Sequence, residues 1–140
     1  MTRPSRGFTI VELLIVIVVI AILASITIVA YNGTQNRAKD SQLDAAVHDL
    51  KGSLELYFAD QGVYPAACSA DNAGCNVSNL ASYLVPEYLD TMSSTPTILN
   101  YVRGTGGQSY AILIDYLSKA NCKTGVNVNS GWWGTGVATC

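Results

Sequence analysis

The sequence predicts an α+β chain in which one long N-terminal helix packs on a small antiparallel β-sheet with a disulfide-closed C-terminal loop. Three observations carry that prediction. From Phe8 to Ala30 run 23 residues of which only Glu12 is charged. From Leu43 to Tyr57 apolar residues recur at three- and four-residue steps, the spacing of one helix face. Beyond Gly62 come short alternating apolar segments separated by glycines, together with all four cysteines.

The first segment sets the class of the chain. About 20 apolar residues cross a bilayer as a helix. Residues 8–30 meet that length and are apolar on every side, as expected of a helix buried in lipid or in the centre of an assembly. A secretory signal describes them poorly, because its apolar region runs only about 7–15 residues to a small-x-small site. Here the run is longer, Glu12 interrupts it, and Ala21 to Ala30 offers no Ala-x-Ala triplet. An ionised side chain at mid-bilayer costs roughly 2.5–3.5 kcal/mol on insertion scales. Glu12 is therefore a functional residue in search of a partner. Arg3 and Arg6, with no acid before Glu12, keep the N-terminus cytoplasmic under the positive-inside rule and place residues from Tyr31 onward outside.

The helical pattern continues through residues 31–60, now with one apolar stripe. Leu43, Ala46, Val47, Leu50, Leu54 and Tyr57 form it, and Arg37, Asp44, His48, Lys51 and Glu55 occupy the other face. Asn32-Gly33 and Gly52 are weak points, since Gly costs about 1 kcal/mol against Ala in a helix. Gln61-Gly62, with Pro65 beyond, ends the element. Continuous from Phe8 to Asp60, the helix would be roughly 80 Å long. Residues 61–140 then supply the sheet. Asn100–Arg103 and Tyr110–Leu117 read as strands, with Gly104, Gly106 and Gly107 as the hairpin connection. Tyr110, Ile112, Ile114 and Tyr116 share the face that covers the helix stripe. A third strand is expected within Gly125–Thr139, and Leu80–Leu89 reads as a short helix or loop.

Composition narrows the function. The net charge is −2, from 8 basic and 10 acidic residues, and only 13% of residues are charged, against about 25% in an average domain. Nucleic-acid affinity normally rests on clustered Lys and Arg, whereas residues 61–140 hold only Arg103, Lys119 and Lys123. DNA capture is thus unsupported by charge. Cys68, Cys75, Cys122 and Cys140 are an even set in the exported part, which favours two disulfides. Three pairings are open to four cysteines. Cys68–Cys75 with Cys122–Cys140 is preferred because both closures are local. Zinc is disfavoured, as no Cys-x-x-Cys pair occurs and the single histidine, His48, is distant in sequence. No nucleophile, base and orienter set can be assembled, so neither an enzyme nor a cofactor is expected.

Gly7 followed by Phe8-Thr9-Ile10-Val11-Glu12-Leu13-Leu14 resembles the processing site of type IV prepilins and the related pseudopilins. The resemblance implies a leader of residues 1–7, cut after Gly7 by a membrane-embedded aspartyl peptidase, and N-methylation of the new terminus, Phe8. It implies polymerisation through the apolar helix into a pilus or pseudopilus. The implied partners are further copies of the chain, the peptidase and methyltransferase, an inner-membrane assembly platform, minor pilins, and lipid before assembly. The implied location is a single-pass inner-membrane protein that moves into a cell-surface or periplasmic filament. Leu56-Tyr57, Gly62, Tyr64-Pro65, Leu84 to Leu89, Tyr101 and Tyr110-Ala111-Ile112-Leu113 follow the family order more loosely. The Cys122–Cys140 segment sits where many pilins close a C-terminal loop. Three features depart from common patterns: no Pro lies near Val29, no Asp or Glu follows Asp115 to build a calcium site, and cysteines are present. The last two favour a pilus subunit over a secretion pseudopilin. A minor or competence-type pilin, or a pseudopilin of type II secretion, is the alternative.

In this reading Glu12 pairs with the amine of Phe8 in a neighbouring copy. Such a pair sets register more than stability, because losing one partner strands a charge in apolar surroundings. The helix dipole also favours a carboxylate there. Trp132-Trp133, between Gly131 and Gly134, offers either an aromatic binding platform or a plug under the C-terminal loop, and the plug is the preferred reading. His48, beside Asp44 and Lys51, belongs to a solvated or inter-subunit face. The sequons at Asn32 and Asn76 are treated as chance.

Overall fold

The computed structural model of the chain describes residues 7–92 and 99–140. Arg3 and Arg6, on which the topology expectation rests, lie outside them. Helix α1 covers Ile10–Gln61 and continues through both Gly33 and Gly52. It stops at Gly62, whose φ of +73° suits glycine and whose N–H donates to the Phe58 carbonyl at 2.8 Å. The chain forms two compact units, one ending at Asn36 and one running from Arg37 to Cys140.

In the second unit, strands β1 (Gly74–Asn76), β2 (Leu99–Arg103), β3 (Tyr110–Ile114), β4 (Cys122–Val126) and β5 (Ala138–Thr139) form one sheet in chain order. A 3₁₀ turn at Val77–Leu80 leads into the short helix α2, Ala81–Leu84. The first three pairings are antiparallel, but β5 runs parallel to β4. The sheet is therefore mixed, where an antiparallel one was expected. The closing disulfide returns the terminus alongside β4 in the same direction, and the Cys140 N–H donates to the Lys123 carbonyl at 3.0 Å. β4 also starts three residues ahead of the expected segment. Gly125 lies inside it because a Cβ there would sit 2.2 Å from the Tyr110 carbonyl oxygen.

The α1 stripe packs as the periodicity requires. Leu43, Val47, Leu50 and Leu54 are buried with Tyr101, Tyr110, Ile112 and Ile114 from the sheet. Tyr64, just past the helix, stacks on Phe58 at a ring separation of 4.5 Å and meets Tyr110 at a tilt, 4.4 Å between ring centres. Its hydroxyl donates to Glu55, and burial together with that carboxylate pushes its pKa up to about 12. The alternate strand residues Val102 and Ala111 face the other way and are covered by Trp132.

Polar contacts tie loops to the helix. Asp40 is buried and accepts from the backbone N–H groups of Leu117 and Ser118 at 2.8 and 2.9 Å, and from the Ser118 hydroxyl at 2.5 Å. Cys68 pairs with Cys75 and Cys122 with Cys140, with Cα separations of 5.5 and 5.3 Å.

Candidate functional site

The candidate site is the junction at the start of α1. Gly7, Phe8 and Thr9 precede the helix, and all are exposed. Thr9 and Glu12 cap it reciprocally. The Glu12 N–H donates to Thr9 Oγ1 at 3.3 Å, while the Thr9 N–H and hydroxyl both donate to Glu12 Oε2 at 2.8 Å. This is a capping box, in which two otherwise orphaned N–H groups of the first turn are satisfied by side chains three residues apart. The Thr-x-x-Glu spacing ahead of an apolar run is the sequence signal of this cap.

Phe8 is 81% exposed, and every described side chain from there to Ile28 is exposed as well. An 18-residue window of α1 reaches a mean hydropathy of 3.3 with none of it buried. Apolar patches larger than a few hundred Å² are rare on soluble monomers, so this surface calls for lipid or protein around it. Its few hydroxyls are satisfied within the helix. Ser25 Oγ donates to the Ile22 carbonyl and Thr27 Oγ1 to the Leu23 carbonyl, both at 2.7 Å. The donors of both hydroxyls are thus used within the helix, and Glu12 is the one charged side chain of the segment.

Gly7 is not required by packing. A Cβ there would meet nothing within 4 Å among the described residues.

The structure places Trp132 and Trp133 far from equivalence. Trp132 is only 8% exposed and its Nε1 donates to Asn72 Oδ1 at 3.1 Å, which makes it the plug. Trp133 is half-buried over Gly74. A residue that sequence reasoning missed holds this corner together. Lys123, 3% exposed, donates from Nζ to the carbonyls of Asn129, Ser130 and Trp132 at 3.4, 3.0 and 2.9 Å. All three protons of its ammonium group are used. The other two cations of residues 61–140 are also committed, Arg103 to Asp71 and Lys119 to Asp44. Among the described residues no cluster of His, Cys, Asp and Glu could hold a metal ion.

Comparison with known proteins agrees with the N-terminal geometry. Residues 2–28 match the family model described as the prokaryotic N-terminal methylation motif. The chain is 38% identical over 76 residues to fimbrial protein EcpC of Eikenella corrodens, covering 54% of this chain and 47% of that protein. It is 40% identical over 62 residues to the type IV wide pilus major component PilA4 of Thermus thermophilus, covering 44% and 47%. It is 32% identical over 65 residues to the type II secretion system core protein G of Dickeya chrysanthemi, covering 46% and 42%. The matched stretch thus spans less than half the length of each of these relatives. No solved structure matches the chain. Residues 2–28 thus carry the methylation motif, and over part of its length the chain is similar to type IV pilins and to a type II secretion core protein.

Proposed function

We propose that the chain is the structural subunit of a type IV pilus, cut after Gly7, N-methylated on Phe8 and polymerised through α1. The observation that carries this is a bare apolar helix whose one charged side chain between Phe8 and Ala30, Glu12, sits four residues past Phe8 and uses only one carboxylate oxygen in its cap. Four residues of helix are about 6 Å, so a neighbouring copy displaced along the filament brings its terminal amine to that carboxylate. The chain would wait in the inner membrane with residues from Tyr31 outside, then leave lipid for the filament core. Its partners would be its own copies, the processing peptidase and methyltransferase, an assembly platform and minor pilins. The permissive surroundings of Gly7 support a glycine chosen for an extended backbone in a narrow protease site. A second reading is favoured by the type II secretion relative: a pseudopilin that stays periplasmic.

Gly7→Leu tests the cleavage step. The variant is expected to retain its leader as a slower-migrating, uncut band. Normal processing would remove the assignment.

A further inference from the structure

At one end of the sheet the β2–β3 turn, the turn before β1 and the loop after β4 meet around a cleft of about 560 Å³. Asn72, Thr105, Ser109, Asn127, Asn129 and Trp132 line it, and no charged side chain does. We propose that this cleft is a binding site for a neutral carbohydrate, the class of ligand that an uncharged wall of amides and hydroxyls recognises.

Some of the wall is fixed by the fold. Asn72 donates from Nδ2 to Thr105 Oγ1 at 2.8 Å and accepts from the Trp132 indole. Asn129 Oδ1 accepts the Gly131 N–H at 2.8 Å. The Lys123 ammonium clamps the backbone of residues 129–132 beneath them. Two groups are left unspent: among the described residues neither the Ser109 hydroxyl nor the Asn127 amide has a hydrogen-bond partner. Each can donate and accept, which suits a sugar hydroxyl.

Gly104 keeps the wall open. A Cβ there would lie 2.0 Å from Ser109 Oγ and 3.2 Å from the Trp132 ring. With no cation in the lining, a phosphate or carboxylate has nothing to neutralise it, and with no carboxylate an amine has none either. A nucleobase needs an exposed ring face on which to stack, and Trp132 is too deeply buried to present one. Hydrogen bonding to a polyhydroxylated ring is what the cleft retains.

The test uses the full chain in a zwitterionic detergent free of sugar headgroups. Saturation-transfer NMR is run with lactose, cellobiose and chitobiose, and with sialyllactose and adenosine monophosphate as contrasts. At least one neutral saccharide is expected to bind saturably with a Kd of about 1 mM or tighter. Ser109→Ala with Asn127→Gly should weaken it about tenfold with little change in the melting curve, since Asn127 holds a φ of +50° that glycine adopts without strain. Gly104→Ala should weaken it too, by closing the wall. Saturable binding by no neutral saccharide would overturn the site. So would equal binding by the double variant, or tighter binding of the nucleotide or the sialylated probe.

Discussion

Thr9 and Glu12 satisfy each other's polar groups across the first turn of α1, with both Thr9 donors on one carboxylate oxygen at 2.8 Å. Glu12 is therefore not an idle charge before assembly. Its second oxygen remains available, and a neighbour's terminal amine can be added to the cap or take its place. In the proposed filament the same carboxylate would cap its own helix before assembly and receive the neighbour's amine afterwards.

The two roles separate by mutation. Thr9→Ala removes the cap but leaves the carboxylate, so helix initiation should weaken by about 0.5–2 kcal/mol while filaments still form. Glu12→Ala removes both and should still be cleaved but enter filaments poorly. Sheared-filament yield from the two variants reads the difference. Equal yields from Glu12→Ala and the parent would sink the pairing.

Asp40 predicts the acid response of the second unit. Burial raises its carboxyl, but the hydrogen bonds from Ser118 and Leu117 outweigh that and hold it below the ordinary value. Asp44 is held low by Tyr116, and Asp71 by Arg103. Depressed folded-state values mean that the stabilisation is complete above the unfolded carboxyl pKa of about 3.9. It is lost as pH falls through the folded values. Thermal stability should stay flat from neutrality to about pH 5 and then fall. Asp40→Asn should cost about 1–3 kcal/mol near neutral pH and flatten the acid limb, as followed by circular dichroism across a pH series. An acid limb as steep as the parent's would contradict the assignment.

Lys123 predicts a local loss rather than an electrostatic one. Lys123→Met keeps most of the stem but strips three carbonyls of their donor. The expected cost is about 1–3 kcal/mol, with Trp132 emission shifting to the red as residues 129–132 loosen. An unchanged spectrum and melting curve would show that water replaces the ammonium freely.

Much of this was legible because it depends on period and length. The stripe of Leu43, Val47, Leu50 and Leu54 and the alternation of Tyr110, Ile112 and Ile114 each stated one buried face, and those faces meet. The features that escaped depend on contacts distant in sequence or on very short elements. β1 and β5 are three and two residues long, too short for alternation to register. The parallel direction of β5 follows from chain closure rather than from local residues. The burial of Lys123 leaves no mark in the sequence because the carbonyls that surround it lie in a loop with no pattern of its own. The Thr9–Glu12 cap is different, since Thr-x-x-Glu ahead of an apolar run is a local signature carried wholly by adjacent residues.

The central claim is that the working subunit begins at Phe8 and assembles with its own copies. Intact-mass measurement of filaments sheared from cells bearing the chain tests it most directly. The account predicts a dominant species that starts at Phe8, carries one added methyl group and keeps both disulfides. A chain that retains Met1–Gly7 and stays in the membrane fraction, absent from any filament, would contradict it.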